Sequence, residues 1–202
     1  MKKDWKDVYI KLQESWQFEE TSTDEQEYTS AKTSRKQVAK IHTFLVDKEM
    51  IPPESLVLDW GGGKYDRSKE FIEANVEGSK LLTYDPFNRT EEHNAKVLSD
   101  VRSNNGADVV TLANVLNVIK EPSIRKSTIE DIKKFMKSGA TLYISVYKAP
   151  KSKDYEETDE FVGQMTKDGW QNAQPINYYL PEVKESFPDA IVKNNIIIAK
   201  KQ

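Results

Sequence analysis

The sequence predicts an α/β fold built on a mostly parallel sheet with helices on both faces, and three observations predict it. From residue 54 onward short apolar runs alternate with helical periodicity, the order produced by strands joined through crossover helices. The first of those runs ends directly in Gly61, Gly62 and Gly63. The last apolar stretch, residues 190–200, is interrupted by Asn194 and Asn195, which marks a closing antiparallel pair.

Taken in order, the elements are these. Residues 1–30 are polar, with Val8, Leu12 and Trp16 spaced by four as in a short amphipathic helix, and residues 21–27 read as a solvated loop. Residues 35–48 place Val38, Ile41, Leu45 and Val46 on one helical face, and Pro52 and Pro53 stop that helix. Residues 56–59 form the first strand. A helix over 68–76 carries Phe71, Ile72 and Ala74 and is closed by Gly78; a strand over 81–84 then ends on Asp85 and Pro86. Between Asp85 and Asp108 the chain is short for a helix plus a strand. Either 96–99 is a strand ending on Asp100, or 91–103 is one helix and a strand is missing. Residues 108–113 form a further strand. A helix over 122–136 has Pro122 in its first turn and Gly139 as its stop. Residues 141–147 alternate β-branched and aromatic side chains as a strand, and the acidic run 154–160 reads as a solvated loop.

Composition limits the rest. The 202 residues fit one domain, organised as a helical cap over 1–50 and a ligand-binding unit over 51–202. With 33 acidic against 30 basic side chains there is no global positive field for nucleic acid or an anionic membrane, so any nucleic-acid contact is local. The absence of cysteine excludes disulfides, thiolate metal sites and cysteine nucleophiles. Two histidines, His42 and His93, are too few for a metal cluster and are read as non-catalytic. No run approaches the length of a membrane span or a signal peptide, so a soluble, cytoplasmic protein without metal is expected.

Chemistry concentrates where the first strand meets its glycines. Glycine admits positive φ and lets a ligand approach bare main chain, and a helix that begins just afterwards points amides at the same crevice. A dinucleotide fingerprint would need a third glycine where Asp66 stands. A carboxylate ~4 Å from a pyrophosphate charge, at an effective dielectric of 20, is repelled by about 4 kcal/mol. The phosphate-loop motif fails too: Lys64 directly follows Gly63 and is not followed by Ser or Thr. S-adenosylmethionine has no phosphate and carries a positive sulfonium, so it tolerates the acids. Asp59 attracts its ammonium directly or through water. Asp85, 22 positions past Gly63, sits where a carboxylate accepts ribose hydroxyls, or where it caps the turn ahead of Pro86.

The run Val57-Leu58-Asp59-Trp60-Gly61-Gly62-Gly63 resembles motif I of class I S-adenosylmethionine-dependent methyltransferases. Tyr84-Asp85-Pro86-Phe87-Asn88 resembles their acidic second motif, and residues 107–117 resemble the strand and turn beside the methyl donor. The whole chain is similar to phage-type methyltransferases. The resemblance covers residues 50–147 in order, with the closing pair in its expected place. It implies a Rossmann-like class I methyltransferase fold of seven strands with the last antiparallel, S-adenosyl-L-methionine as cofactor, Phe87 or Asn88 near the adenine, and Asn114 and Val115 near the methionine part. Tyr65 departs from the usual small residue of the loop, and the short middle leaves the adenine-side acid, Asp100, open.

The acceptor implied is a nucleic-acid base, nucleotide or small metabolite. The alternative is a protein that binds the cofactor without methyl transfer, by sequestration, partner binding or cofactor breakdown. Asn114-Val115-Leu116-Asn117 is unlike the signature of amino-group DNA methylases. Asn114, Asn117, Tyr147 and Lys148 are the polar candidates for catalysis. The basic, hydroxyl-rich piece 28–36 either touches an anionic acceptor or simply starts a helix. Residues 168–172, with Tyr178 and Tyr179, offer stacking surfaces, with Trp170 alternatively in a core.

Overall fold

The computed structural model describes residues 26, 35–158 and 161–202. The helix expected around Val8, Leu12 and Trp16, and most of the basic piece 28–36, lie outside the described residues.

The described chain runs α1 (Lys40–Asp47), β1 (Leu56–Trp60), α2 (Arg67–Asn75), β2 (Lys80–Tyr84), α3 (Glu91–Ser103), β3 (Ala107–Ala113), α4 (Pro122–Lys134), β4 (Met136–Ser145), β5 (Glu156–Glu157), β6 (Val162–Thr166), β7 (Gly169–Gln171), α5 (Leu180–Ser186), β8 (Ile191–Lys193) and β9 (Ile196–Lys200). The main sheet has six strands in the order β2-β1-β3-β4-β9-β8. Strands β2, β1, β3 and β4 are parallel, and β9 runs antiparallel to both β4 and β8. A separate three-stranded antiparallel sheet, β5-β6-β7, fills the insertion after β4.

Strand alternation sorts the sheet into two cores. Val57, Leu81, Val109 and Tyr143 face one side, where α1 and α2 cover them with Ile41, Leu45 and Ile72. Leu58, Val110, Leu112, Leu142 and Ile144 face the other, under α3, α4 and α5 with Val101, Ile129, Ile132 and Val183. Each of these large apolar side chains, removed wholly from water, contributes about 1.5–3 kcal/mol. The helices on both faces therefore follow directly from strands that are apolar on both faces.

One open alternative is decided and several expectations are corrected. Residues 91–103 form one helix, α3, capped by the Thr90 hydroxyl accepting from His93 N–H, with Glu91 and Glu92 favouring its N-terminus. It runs unbroken into the turn at Asn105 and Gly106, so no strand forms at 96–99. The main sheet has six strands rather than seven among the described residues, with β2 at its edge. Asp100 sits inside α3, paired with Lys96 one helical turn away. The first described helix begins at Lys40, so Val38 lies ahead of it in extended chain. Gly139 does not stop α4. That helix already ends at Lys134, because Phe135 turns into the core; Met136 opens β4, and Gly139, at φ +79°, lies within β4 where its register against β3 shifts. The strand expected to reach Tyr147 ends at Ser145. The acidic run is only partly loop, since Glu156 and Glu157 pair with Val162 and Gly163. Asn194 and Asn195, at φ +54° and +59°, make the two-residue turn between β8 and β9 that the right-handed strand twist favours.

Candidate active site

A cleft of about 800 Å³ opens over the carboxyl ends of β1 to β4, on either side of the point where the chain order reverses between β1 and β3. Open parallel sheets bind ligands at this position, because the loops leaving β1 and β3 diverge to opposite faces. Its volume is within the ~300–1,000 Å³ range of small-molecule sites. The cleft gathers Trp60, Gly61, Gly62, Gly63, Asp85, Pro86, Phe87, Asn88, Asn114 and Val115 from three separate motifs, together with Tyr147 from just past β4.

The glycine loop has little room for any other residue. Gly61 and Gly63 hold φ of +74° and +80°. A Cβ on Gly61 would lie 2.4 Å from Val115 Cγ2, and one on Gly62 would lie 2.3 Å from Asp59 Oδ2 and 2.8 Å from Thr83 Cγ2. Two amides of the loop are turned inward: Gly61 N–H donates to Tyr84 O at 2.7 Å and Gly63 N–H to Asp85 Oδ2 at 2.8 Å. The Trp60 ring leaves the cleft to the loop backbone and packs between Tyr84 and Phe135 in the core.

Asp85 is buried at 4% exposure and is already well supplied with donors. Its Oδ1 accepts from Phe87 N–H at 3.0 Å and Asn88 N–H at 2.9 Å, and Asn88 Nδ2 reaches both oxygens at 3.2 Å. The turn-capping role considered for Asp85 is thus present, and through Gly63 the same carboxylate fixes the glycine loop. Asn94 completes the corner by accepting from Asp85 N–H and donating to Asp85 O.

Asp59 and Asn117 do not line the cleft. Asp59 is buried beneath the loop, on the α1 face of the sheet, where the Thr111 hydroxyl donates to its Oδ1 at 2.7 Å. The Thr111 oxygen in turn accepts from His42 Nε2–H at 2.9 Å, so the histidine read as non-catalytic ties α1 to the strand that carries the glycines. Asn117 is fully buried behind the turn at 116–118; its side-chain amide has no partner, while its carbonyl accepts from Asn172 N–H at 2.7 Å. That position removes it from the catalytic candidates. His93 is likewise structural, its Nε2 lying 2.8 Å from Thr83 O.

Asp66 stands where a third glycine would be, but its charge is not free. Arg89 Nη2 meets Asp66 Oδ1 at 2.6 Å while its Nε donates to Gly63 O at 2.7 Å, clamping both ends of the loop. This pairing weakens repulsion by Asp66 as a reason against a pyrophosphate, and the inward-turned loop amides replace it. Arg89 carries no local sequence signal, since its partners lie 23 and 26 residues away. Tyr65, bulky for its place, donates no strain to the loop; its hydroxyl accepts from Arg35 Nε at 3.0 Å.

Of the rings offered for stacking, Trp170 and Tyr179 are buried and Tyr178 is partly exposed. Trp170 is buried against Gly163 and edge-on to Phe161, with Lys120 over both rings. Tyr179 is fully buried beside Arg125, and burial pushes its phenol well above its ordinary range. Arg125, 1% exposed, forms a two-pronged pair with Glu182 and donates to the carbonyls of Ile119 and Lys120, so α4, α5 and the cleft wall at Ile119 share one buried cation. Among the described residues there is no helix long and apolar enough to cross a membrane and no group of three side chains that could hold a metal.

No family model matches the chain, and no curated protein sequence does. Among solved structures it is similar to Burkholderia thailandensis 1,6-didemethyltoxoflavin-N1-methyltransferase, crystallised with its namesake compound and S-adenosylhomocysteine: 13% identity over 98% of this chain and 86% of that one, with a TM-score of 0.52. An S-adenosylmethionine-dependent methyltransferase from Aquifex aeolicus aligns at 15% identity over 84% of this chain and 92% of that one, TM-score 0.48. Against coclaurine N-methyltransferase the identity is 7% and the TM-score 0.38; 58% of this chain aligns, spanning 40% of that protein's length. The likeness to the Burkholderia enzyme is one of fold: this chain has the Rossmann-like α/β arrangement found in that methyltransferase.

Proposed function

We propose that the chain binds S-adenosylmethionine in this cleft and transfers its methyl group to an acceptor. The observation that carries the reading is the inward turn of the loop amides of Gly61 and Gly63 onto Tyr84 O and Asp85 Oδ2, beside a buried carboxylate at the end of β2. Those amides are not offered to an anion, so a phosphate-bearing ligand loses its usual cradle, whereas a ribose with free hydroxyls and a positive sulfur finds an acceptor and bare main chain. In this reading Gly61, Gly62 and Gly63 allow the close approach. Asp85 takes the ribose hydroxyls when Asn88 Nδ2 turns aside. Pro86, Phe87 and Asn88 border the adenine, and Asn114 and Val115 the methionine part. Asp59 acts through the loop above it, together with Thr111. When bound, the cofactor supplies an electrophilic methyl group on sulfur. The protein's share is then positioning, with Asn114 and Tyr147 nearest to an incoming acceptor. In this reading residues 51–202 form the cofactor unit, and Gln37 to Ile41 with Phe44 border its cleft as a cap.

Calorimetric titration of the full chain tests this. Saturable binding of S-adenosylmethionine, at least tenfold weaker in Asp85→Ala, with no heat from ATP or NAD, is the expected result. A flat titration of the wild type overturns the reading. Labelled donor incubated with candidate acceptors then separates transfer from binding alone: label retained only on the donor across acceptors that bind favours sequestration, and breakdown products formed without acceptor favour cofactor cleavage.

A further inference from the structure

The side of the cleft toward β4 and β9, at the other end of the strand order from β2 and Asp85, is lined differently. There the walls are Lys40 and Phe44 from α1, Tyr147 and Lys148 just past β4, and the Asn194–Asn195 turn ahead of β9. Lys40 and Phe44 are one helical turn apart on the same face. Ile41 packs with Tyr143 and Ile196, which brings the start of α1 against the ends of β4 and β9. Lys148 follows β4, two strand positions from the glycine loop in the order β1-β3-β4, about 10 Å away.

Among the described residues the cations lining the cleft are Lys40, Arg67 and Lys148, and the acid lining it is Asp85. Arg67 is paired with Glu70, and Asp85 is occupied by Gly63, Phe87 and Asn88. Neither the Lys40 nor the Lys148 ammonium has a hydrogen-bond or ion-pair partner among the described residues. Both lysines are exposed and, among the described residues, without a partner, so the opening of this cleft carries positive charge on that side, to which a bound sulfonium would add. Phe44, partly buried, and the largely exposed Tyr147 add aromatic lining to the same cleft.

We infer that the methyl acceptor is a small planar anion, a carboxylate or phosphate monoester on a ring system, held by Lys40 and Lys148 and flanked by Phe44 and Tyr147; the inference rests on the cofactor reading above. In the transfer, a lone pair on an acceptor heteroatom forms the bond to the methyl carbon. The carbon–sulfur bond breaks with its electron pair staying on sulfur as S-adenosylhomocysteine, and any proton on the heteroatom passes to water. The anionic group offsets the positive charge around this centre and fixes the ring.

Ligand-observed NMR titrations of the full chain, with S-adenosylhomocysteine present, test it using benzoate, phenyl phosphate and the neutral benzamide as probes. One or both anions are expected to bind at least tenfold more tightly than benzamide, and which anion wins identifies the carboxylate or the phosphate. Lys40→Met and Lys148→Met are each expected to weaken the preferred anion about tenfold, the charge-assisted bond being lost. Lys148→Glu is expected to shift preference toward benzylammonium. Equal binding of benzamide and the anions overturns the inference. So does a lysine variant that weakens S-adenosylmethionine but not the anion, because the lysines would then serve the cofactor's own carboxylate. An oligonucleotide that displaces the probe at lower concentration than phenyl phosphate also overturns it. Calorimetry of the same variants with S-adenosylmethionine alone is read separately: if the wild type does not bind the cofactor, the proposed function fails, whatever the probes show.

Discussion

On the β1–β2 side of the cleft, the acids and the loop are bound to one another. Asp85 accepts from three residues, Arg89 joins Gly63 to Asp66, and Thr111 joins Asp59 to His42. On the β4–β9 side the wall is held by apolar packing of Ile41, Tyr143 and Ile196, and the ammoniums of Lys40 and Lys148 have no partner among the described residues. The difference is one of preorganisation. Loops already fixed by buried bonds lose little entropy when a ligand arrives, as suits a cofactor used in every turnover. A wall with uncommitted lysines leaves its electrostatic gain for the ligand that comes there.

Five single substitutions and one double substitution break or sharpen this contrast. The largest effect is expected at neither side but behind the cleft, at Arg125. Arg125→Ala empties a buried site and leaves the partly buried Glu182 unpaired, and is expected to cost about 3 kcal/mol in chemical denaturation. Arg125→Met combined with Glu182→Leu should recover much of that, which would show that the wall at Ile119 needs a filled site rather than a charge. Next comes Gly62→Ala. The added methyl meets Asp59 and Thr83, so a loss of about 1–3 kcal/mol and of measurable S-adenosylmethionine binding is expected. An unchanged midpoint would show that the loop is looser than its contacts imply.

Arg89→Met removes the clamp on Gly63 and Asp66. Asp66 is half exposed, so solvent screening limits the loss to about 1 kcal/mol, while cofactor affinity, read by calorimetry, should fall by about tenfold. The smallest effect belongs to the far wall. Lys40→Met and Tyr147→Ala should each leave stability within about 0.5 kcal/mol of wild type, because neither side chain supports the fold. A loss above 2 kcal/mol in either would place that wall in the same category as the glycine loop.

Much of this architecture was legible from local pattern. The glycines after Asp59, the strand ending on Asp85, Pro122 opening α4 and the Asn194–Asn195 turn each act through their own backbone preferences, so a single sequence reveals them. Residues of the three motifs line one cleft, since parallel strands bring their carboxyl ends together by topology alone. The choice at 91–103 was harder. Helical propensity and the Thr90 cap favour a helix, but only the packing of Val97 and Val101 beneath the sheet decides against a seventh strand.

What tertiary structure alone decided is the state of the polar groups. Asp59, Asp85 and Asp66 look alike in sequence as acids around a loop. In the folded chain Asp59 is tied to Thr111 beneath the loop, Asp85 caps it from inside, and Asp66 is neutralised by Arg89. Asn117, a plausible catalytic amide by position, is turned away from the cleft, and Trp170 is spent on Gly163 and Phe161. The sequence determined the backbone path because φ/ψ preference and apolar periodicity are local. Which acid is free, which cation is paired and which aromatic ring is exposed depend on partners 20 to 60 residues away, and distance along the chain carries no trace of those bonds.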